Sequence, residues 1–417
     1  MNHRGTFGWS GFLLAVLLFS LVAGASGFEI TKKFGGPERD AGLSVRSTYD
    51  GFIIAGQHGT DAWLVKTDKS GNIKWDKIFG NGLAKSVALT KDSNYVVTGT
   101  KGSNLWLAKI DRANGALKWE KTFGGTGESV GNCVRPTSDG GYIIAGTTDS
   151  KGAGMDDIWL IKTDSQGNAN WDKTFGGPSD DAGFEVDQTD DGYVLAGRIG
   201  LDLNGAGLDS GGIRLIKTDP AGNIRWRRTY LATYPDCCGS CTGERGSESP
   251  VKVGNEIYYY LALTRCYDGS TASNGWLLKI DDGQPLWEKN IGDPVIEDFI
   301  SDIQPTKDGK GLIAVGTSGS DGSCAKVYVV RADLDGNILW MKEYPQAIDG
   351  YNLGNSIDST QNGGYVITGS SYDHQNTDDQ MLLIIVGPSG VSPGSSSLQN
   401  LTTQGWWKRR PIKFGPS

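Results

Sequence analysis

Two segments of this chain carry carboxylates at a spacing that suits cation binding. The first runs from Asp149 to Asp157 and reads Asp-Ser-Lys-Gly-Ala-Gly-Met-Asp-Asp, and an equivalent segment runs from Asp202 to Asp209. Closely spaced carboxylate oxygens are the ligands that Ca²⁺ prefers. The spacing lacks the register of an EF-hand loop, and Gly-Asp-rich hairpin tips have the same composition. Calcium is therefore the one cofactor that the sequence suggests, with Asp149, Asp156, Asp202 and Asp209 as candidate ligands.

The cysteines allow a structural or a redox interpretation. Cys237, Cys238 and Cys241 fall in one insertion, and Cys266 follows soon after. Cysteines of a secreted protein commonly form disulfides, so we expect a bridge between the insertion and Cys266. An adjacent Cys-Cys pair also occurs beside the cofactor of quinoprotein dehydrogenases, although no matching set of cofactor ligands accompanies it here. Structural zinc prefers separated C-x₂-C pairs, which this segment lacks.

The elements that must position these residues come from a repeat. Its clearest copy reads Gly-Gly-Tyr-Ile-Ile-Ala-Gly from Gly140, then Asp-Ile-Trp-Leu-Ile-Lys-Thr-Asp from Asp157, then Trp-Asp-Lys-Thr-Phe-Gly-Gly from Trp171. Each copy divides into four strand-like runs with turn residues between them, and no helical period is present. The closing tryptophan of the copy recurs at intervals that suit a four-stranded propeller blade, namely at Trp75, Trp119, Trp171, Trp226, Trp287 and Trp340.

The two ends of the repeat region complement each other. A last copy starts at Gly363 but has no closing tryptophan strand, whereas residues 29–35 match the closing strand of the other copies, with Ile30 at the tryptophan position. Pairing these fragments removes both open sheet edges. The sequence therefore predicts an all-β fold, a seven-bladed β-propeller of four-stranded antiparallel blades closed by the N-terminal strand. Closure also makes the loops that carry His58 and His374 neighbours.

The first strand of each unit should line the central channel if the strands run from axis to rim. An apolar column, Val45 in the first unit, alternates with polar neighbours that face the opposite way. We expect these neighbours to make the channel polar, with Arg46, Arg135, Glu185, Asp187, Asp302 and Asp358 as candidate ligand-binding residues. A cation or a small polar ligand would fit such a channel, and a water-filled pore with paired charges has the same composition.

The repeat string resembles the propeller-forming repeats of secreted bacterial and archaeal surface proteins, and more distantly quinoprotein and WD40 blades. The resemblance covers residues 28 to 386. It implies a fold and a location rather than an activity, because that family is mostly without assigned chemistry. The unit around residues 255–260 departs most from the pattern, since it lacks the Gly-Gly-Tyr start.

The ends of the chain predict export. Residues 1–27 read as a signal peptide, with a basic start, a short apolar core and an Ala23-Gly24-Ala25 cleavage pattern. The segment 28–386 forms the propeller, and 387–417 is a Ser/Gly-rich tail with a basic, Trp-rich end. No later segment is apolar enough to span a bilayer, so we expect a secreted, extracellular or periplasmic protein.

These features favour binding over catalysis. The 417-residue chain has a formal net charge of −8 and no basic cluster within the repeats, which argues against a nucleic-acid partner. No nucleophile elbow, P-loop or zinc-protease motif is present. We expect a non-catalytic propeller that recognises a surface protein or a carbohydrate. The alternatives are a quinoprotein-like dehydrogenase, a polysaccharide-degrading enzyme that uses the channel carboxylates, and a structural component of the cell envelope. The sequence leaves the oligomeric state open.

Overall fold

The computed structural model describes residues 29–200, 212–230, 247–253, 256–266, 273–291, 298–319, 325–344, 350–373 and 376–389. The regular elements within these ranges are all β-strands. The central strands of the repeat are buried over nearly their whole length, whereas the strands that carry the closing tryptophan alternate between partly buried and exposed positions. This pattern is typical of sheets whose outermost strand faces solvent.

The strands follow the chain in order. They are Glu29–Phe34 (β1), Asp40–Thr48 (β2), Gly51–His58 (β3), Asp61–Thr67 (β4), Ile73–Leu89 (β5), Tyr95–Lys101 (β6), Asn104–Ile110 (β7), Leu117–Phe123 (β8), Ser129–Pro136 (β9), Tyr142–Thr148 (β10), Asp157–Thr163 (β11), Ala169–Phe175 (β12), Ala182–Thr189 (β13) and Gly192–Ile199 (β14). They continue with Gly212–Thr218 (β15), Ile224–Tyr230 (β16), Ser247–Val253 (β17), Glu256–Cys266 (β18), Ser273–Asp281 (β19), Gln284–Ile291 (β20), Asp298–Pro305 (β21), Gly311–Ser318 (β22), Lys326–Asp333 (β23), Ile338–Tyr344 (β24), Gly350–Ser359 (β25), Tyr365–Asp373 (β26) and Asn376–Val386 (β27).

These strands form antiparallel sheets in a ring. The first strands of consecutive units contact one another in the order β2, β5, β9, β13, β17, β21 and β25, and β25 contacts β2 again. Neighbouring strands within each sheet pair antiparallel, as in β9 to β12. The predicted all-β propeller of four-stranded antiparallel blades is confirmed in this general form.

The strands do not divide into seven four-stranded sheets, as the predicted seven blades would have them. The described strands form five four-stranded sheets and one seven-stranded sheet, β2 to β8. The seven-stranded sheet arises because β5 does not break between two units: its first part pairs with β4 as far as Asn81, and the part from Gly82 onward pairs with β6. Gly80 and Gly82, with φ of 80° and 152°, lie where β5 passes from one unit to the next, in conformations that favour glycine.

The predicted closure by the N-terminal strand is confirmed. Strand β1 pairs antiparallel with β27, from Glu29 opposite Val386 to Phe34 opposite Met381. It completes the sheet β1-β27-β26-β25 as its outermost strand. Ile30 and Phe34 pack against the core cluster that includes Met381.

The recurring tryptophans pack between neighbouring units, as their periodic placement predicts. Trp119 lies 5.9 Å from the ring of Tyr142 in the next unit, and Trp171 lies 5.9 Å from Tyr193. The turn glycine of the next unit lies over the same ring. At Gly167, with φ of 76°, an added Cβ would lie 2.5 Å from an atom of Trp119, so the turn needs glycine for both conformation and space.

A second recurring contact ties the first and third strands together in five of the units. The Nζ atom of Lys66, 1% exposed as a side chain, donates to the Oγ1 atom of Thr48 at 3.1 Å and lies 3.3 Å from the Oδ1 atom of Asp50. Thr48 donates to Asp50 at 2.9 Å. The equivalent ion pairs in other units are Lys109–Asp92, Lys162–Asp139, Lys217–Asp191 and Arg331–Asp308.

These contacts displace the pKa of the groups involved. Burial alone would raise the pKa of Asp50, but hydrogen bonds from Lys74, Arg112 and Thr48 outweigh it and hold the pKa far below its usual range. In the same way, Lys162 and Thr137 lower the pKa of Asp139 to about 2 against the effect of burial. Burial lowers the pKa of Lys66 to about 8, although Asp50 opposes the shift.

We expect the melting temperature to fall as the pH drops below about 4. A carboxylate whose pKa is lower in the folded state contributes stability above its ordinary value of 3.8, and this contribution is lost as the pH falls toward the folded-state pKa. Asp50→Asn should lower the melting temperature at pH 7, and the difference from the unchanged chain should shrink at pH 3. Calorimetric melts at both pH values test this, with Asp335→Asn, on an exposed turn, as the control. A difference that stays constant with pH would contradict it.

We also expect deletion of residues 28–34 to lower the melting temperature by roughly 5 °C or more, or to cause aggregation, because it exposes the edge of β27. Melting curves and light scattering of the deleted chain test this. Lys33→Thr, on the exposed side of β1, is the matched control and should change neither measurement. A deleted chain that melts like the intact one would show that β1 does not close the ring.

Candidate functional site

The ring of first strands encloses a cavity on its axis, with a volume of ≈ 390 Å³. Side chains from six strands, β2, β5, β9, β13, β21 and β25, line it, and Thr147 and Asp156 extend the wall beyond the first strands. Thr147 lies near the end of β10, and Asp156 lies in the connection between β10 and β11. The cavity therefore extends toward the face that carries the connections between second and third strands. We call this face the variable-loop face.

A β-bulge shapes the wall of this cavity at the same place in each of these six strands. In β2 the register against β3 shifts between Gly42 and Ser44, and the equivalent shift recurs in the other five. A bulge leaves one residue unpaired and redirects its side chain. The bulged residues all line the cavity: Leu43, Lys85, Asn132, Phe184, Ser301 and Asn355.

Sequence reasoning missed this bulged position. It assigned the channel wall to the residues on either side of the apolar column. Six of these do lie on the wall: Ser44, Arg46, Ser86, Glu185, Asp302 and Ser356. The available signal was the polar residues Lys85, Asn132 and Asn355, each two positions before the apolar column. A strict two-residue alternation points that position away from the axis, and only the bulge brings it into the cavity.

The residue after the bulge joins one unit to the next. The Oγ atom of Ser44 accepts the backbone N–H of Val87, and Ser86 accepts that of Val134, both at 3.3 Å. The same bond crosses the closure, where the N–H of Val45 donates to Ser356 at 3.3 Å. Ser356 in turn donates to the Oδ2 atom of Asp302 at 2.9 Å.

Of the six predicted ligand-binding residues, Arg46, Glu185 and Asp302 line the cavity. Arg135, Asp187 and Asp358 occupy the register position of Arg46 in β9, β13 and β25, immediately after the apolar column. The structure therefore places all six on the inner strands.

Ion pairs connect the charged residues below the cavity. The Nη2 atom of Arg135 lies 2.9 Å from the Oε2 atom of Glu185, and its Nε atom lies 3.4 Å from the Oδ1 atom of Asp187. These side chains are 15%, 18% and 23% exposed. Asp358 accepts the N–H of Ser47 at 2.8 Å. Glu185 and Asp187 share the guanidinium group of Arg135, and Asp358 is held by a backbone N–H, so this layer forms a floor of engaged groups rather than a set of unpaired ligands.

Burial raises the pKa of Glu185 and of Asp187, and Arg135 opposes the shift in both. Burial likewise raises the pKa of Asp358, opposed by Arg46. The thiol of Cys133, a free and buried cysteine, donates to the Oε2 atom of Glu185 at 2.9 Å. Burial raises the pKa of this thiol well above its ordinary value, so it stays protonated and acts as a hydrogen-bond donor rather than as a nucleophile.

The predicted calcium ligands fall into two groups. Asp149 and Asp156 lie in the connection between β10 and β11, where burial raises the pKa of Asp156 and the nearby carboxylates of Asp180, Asp149 and Glu128 raise it further. Asp202 and Asp209 lie outside the described residues. Within the described part of the chain, no three His, Cys, Asp or Glu side chains are arranged to hold a metal ion. Calcium binding stays a prediction.

The remaining predicted residues are only partly covered by the structure. His58 approaches Asp40 through its Nδ1 atom, 2.5 Å from Oδ1, and its ring lies 5.4 Å from that of Trp63. His374, Cys237, Cys238 and Cys241 lie outside the described residues, as does the side chain of Cys266. The disulfide prediction is therefore untested.

Comparisons with known proteins support the fold alone. The WD40 β-propeller domain of Doa1 aligns with a TM-score of 0.52 at 13% identity, covering 87% of this chain and 97% of that one. Drosophila Plexin A, solved in complex with Semaphorin 1b, aligns at 0.48 with 8% identity, covering 85% of this chain and 86% of that one. The Dos1 propeller aligns at 0.47 with 9% identity, covering 86% and 95%.

No protein-family profile matches the sequence. No curated protein matches it either. In the described residues, no helix is long and apolar enough to cross a membrane.

We expect Arg135→Met to destabilise the fold by about 2–3 kcal/mol at pH 7, because it leaves two carboxylates near the axis without their cation. The loss should be smaller at pH 5, since protonation of carboxylates with a raised pKa removes the uncompensated charge. Urea unfolding at both pH values measures this. Lys69→Met, on an exposed turn, is the matched control. An equal loss at both pH values would show that the carboxylates do not depend on Arg135.

Proposed function

We propose that this chain is a secreted, non-catalytic binding propeller that recognises a partner at a cell surface, either a protein or a carbohydrate. The observation that carries the proposal is a complete, closed ring whose axial carboxylates are already engaged in ion pairs and hydrogen bonds. Such a scaffold supplies rigid loops in a fixed arrangement, which suits recognition. The predicted signal peptide, residues 1–27, lies outside the described residues and supports secretion by sequence alone.

We further propose that the ring has seven blades, two of which share β5. The first part of β5 completes one blade with β2, β3 and β4, and the second part begins the next with β6, β7 and β8. The circular contacts of the first strands support this number.

The two faces of the ring differ in how well they suit recognition. On one face the turns between third and fourth strands repeat a single design: the Oδ1 atom of Asp68 accepts the N–H of Asn72 at 2.9 Å, and Asp164 accepts that of Asn168 at the same distance. On the variable-loop face, the equivalent connections range from residues 59–60 to residues 149–156. A face that differs from blade to blade can distinguish partners, so we assign recognition to it.

The longest of these connections that the structure describes in full presents an apolar side chain to solvent. Met155 is 62% exposed there, beside acidic residues. Exposed methionine adapts its shape to different partners, and such side chains are common at binding surfaces.

A hydrolytic function has less support. Glycoside hydrolysis requires one carboxyl group as an acid and another as a base or nucleophile. Glu185 and Asp187 both pair with Arg135, and Asp302 accepts hydrogen bonds from Ser356 and from the backbone N–H of Ile357. These contacts give all three carboxylates a structural role, which is why a hydrolytic role has less support.

Binding of the fluorescently labelled full chain to intact cells of the producing organism tests the proposal. We expect saturable binding, and we expect replacement of residues 150–155 by a Gly-Ser segment of equal length to reduce the affinity about tenfold or more. Replacement of Ser165 and Gln166 by alanine, on a turn of the opposite face, is the control and should change nothing. Loss of binding only in the control variant would place recognition on the opposite face and contradict its assignment to the variable-loop face. A chain that binds neither cells nor isolated envelope would overturn the function.

A further inference from the structure

We infer that the axial cavity is a carbohydrate-binding site that takes one neutral sugar residue, inserted from the variable-loop face. This inference rests on the proposed binding function and names the ligand class of a site within it. The axial pocket would bind one sugar residue in addition to the contacts that the loops make at the surface.

The size of the cavity suits such a ligand. Its volume of ≈ 390 Å³ falls within the range of about 300–1,000 Å³ that small-molecule pockets occupy. The ion pairs of Arg135 lie on its floor side, and Asp156 lies toward the loops. A ligand therefore enters end-on and meets a polar wall.

The polar groups of the wall are held in place by the protein. The Nδ2 atom of Asn132 donates to the carbonyl oxygen of Gly183 at 2.8 Å, and its Oδ1 atom accepts from the Nζ atom of Lys85 at 2.8 Å. The Nδ2 atom of Asn355 donates to the carbonyl oxygen of Gly42 at 2.9 Å. Side chains fixed in this way lose little conformational entropy when a ligand binds.

One wall residue has hydrogen-bonding capacity that no described residue uses. The hydroxyl group of Ser301, at the bulge of β21, has no hydrogen-bond partner among the described residues. A hydroxyl donates one hydrogen bond and accepts two. Amide and hydroxyl groups together offer donors and acceptors in the mixture that a polyhydroxylated ligand requires.

The two carboxylates of the inner wall favour a neutral ligand over a cation. Glu185 is paired with Arg135, and Asp302 receives hydrogen bonds from Ser356, Gln304 and the backbone of Ile357. A cation that entered here would lose its hydration and meet carboxylates that protein groups already engage. A neutral polyol exchanges water hydrogen bonds for protein ones at a smaller desolvation cost.

Two bulged residues add apolar surface. Leu43 on β2 and Phe184 on β13 line the same cavity as the polar groups. A sugar ring has hydroxyl groups around its edge and C–H groups on its faces, so it matches a wall that combines polar groups with apolar side chains such as these. An inorganic ion would make no use of these two side chains.

Saturation-transfer NMR of the full chain with free glucose, galactose, mannose, N-acetylglucosamine and their disaccharides tests the inference. Ser301→Phe places a bulky side chain in the cavity. Phe184 carries the same side chain at the equivalent bulge position of β13. We expect at least one sugar to bind and Ser301→Phe to weaken its affinity about tenfold or more. Lys85→Met, which removes a polar group without adding volume, should weaken it severalfold. Ser165→Phe, the same substitution on an exposed turn, should leave the affinity unchanged.

The outcomes separate this inference from the proposed function. Sugar binding that survives both Ser301→Phe and Lys85→Met, in chains with unchanged melting temperatures, would place the sugar on the loops and overturn the cavity site while supporting the function. Binding to none of these sugars would overturn the cavity site, and the cell-binding experiment would then decide the function alone. If Ser301→Phe does not fold, Lys85→Met and Ser165→Phe decide the outcome.

Discussion

A ring of sheets is stable only if its last sheet finds a partner for its outer edge. Here the partner is β1, which pairs with β27 and is followed directly by the first strand of the next unit. The ring therefore closes at two radii: through the β1–β27 ladder on the outside, and through the bond from the backbone of Val45 to Ser356 at the axis. The inner bond has the same form as the bonds that join Ser44 to Val87 and Ser86 to Val134, so closure adds no new geometry at the axis.

Two layers of contact hold the units in register once the ring is closed. Near the axis, small polar side chains accept a backbone N–H from the next unit. Farther out, tryptophan packs against the tyrosine and the turn glycine of the next unit. In five of the units, a buried cation of the third strand contacts the turn between the first two strands. These contacts engage one face of the ring and the axis, which leaves the variable-loop face free to differ between units.

Much of this architecture could be predicted from the sequence. The spacing of the tryptophans and the match between residues 29–35 and the closing strands depend on local pattern, and both led to the correct pairing. The shared strand β5 could not be predicted, because nothing in Gly80-Asn81-Gly82 tells whether the chain leaves the sheet. The bulges were missed for a related reason, since they arise from pairing between strands rather than from one strand's alternation. The role of Lys66 was also missed: a lysine in an apolar run looks exposed until its partners on the first strand and its turn are in place.

The bulged position differs in side chain from unit to unit. The position after it is occupied by Ser44, Ser86 and Ser356, which accept a backbone N–H from the next unit. A change at the bulge alters the interior, and where the side chain is Lys85, Asn132 or Asn355 it also removes a hydrogen bond to the next unit. A tandem array built in this way can diversify one copy at a time after duplication, and each copy contributes a single interchangeable side chain to a shared interior. Leucine, lysine, asparagine, phenylalanine and serine at one register position within a single chain already show how wide that choice is.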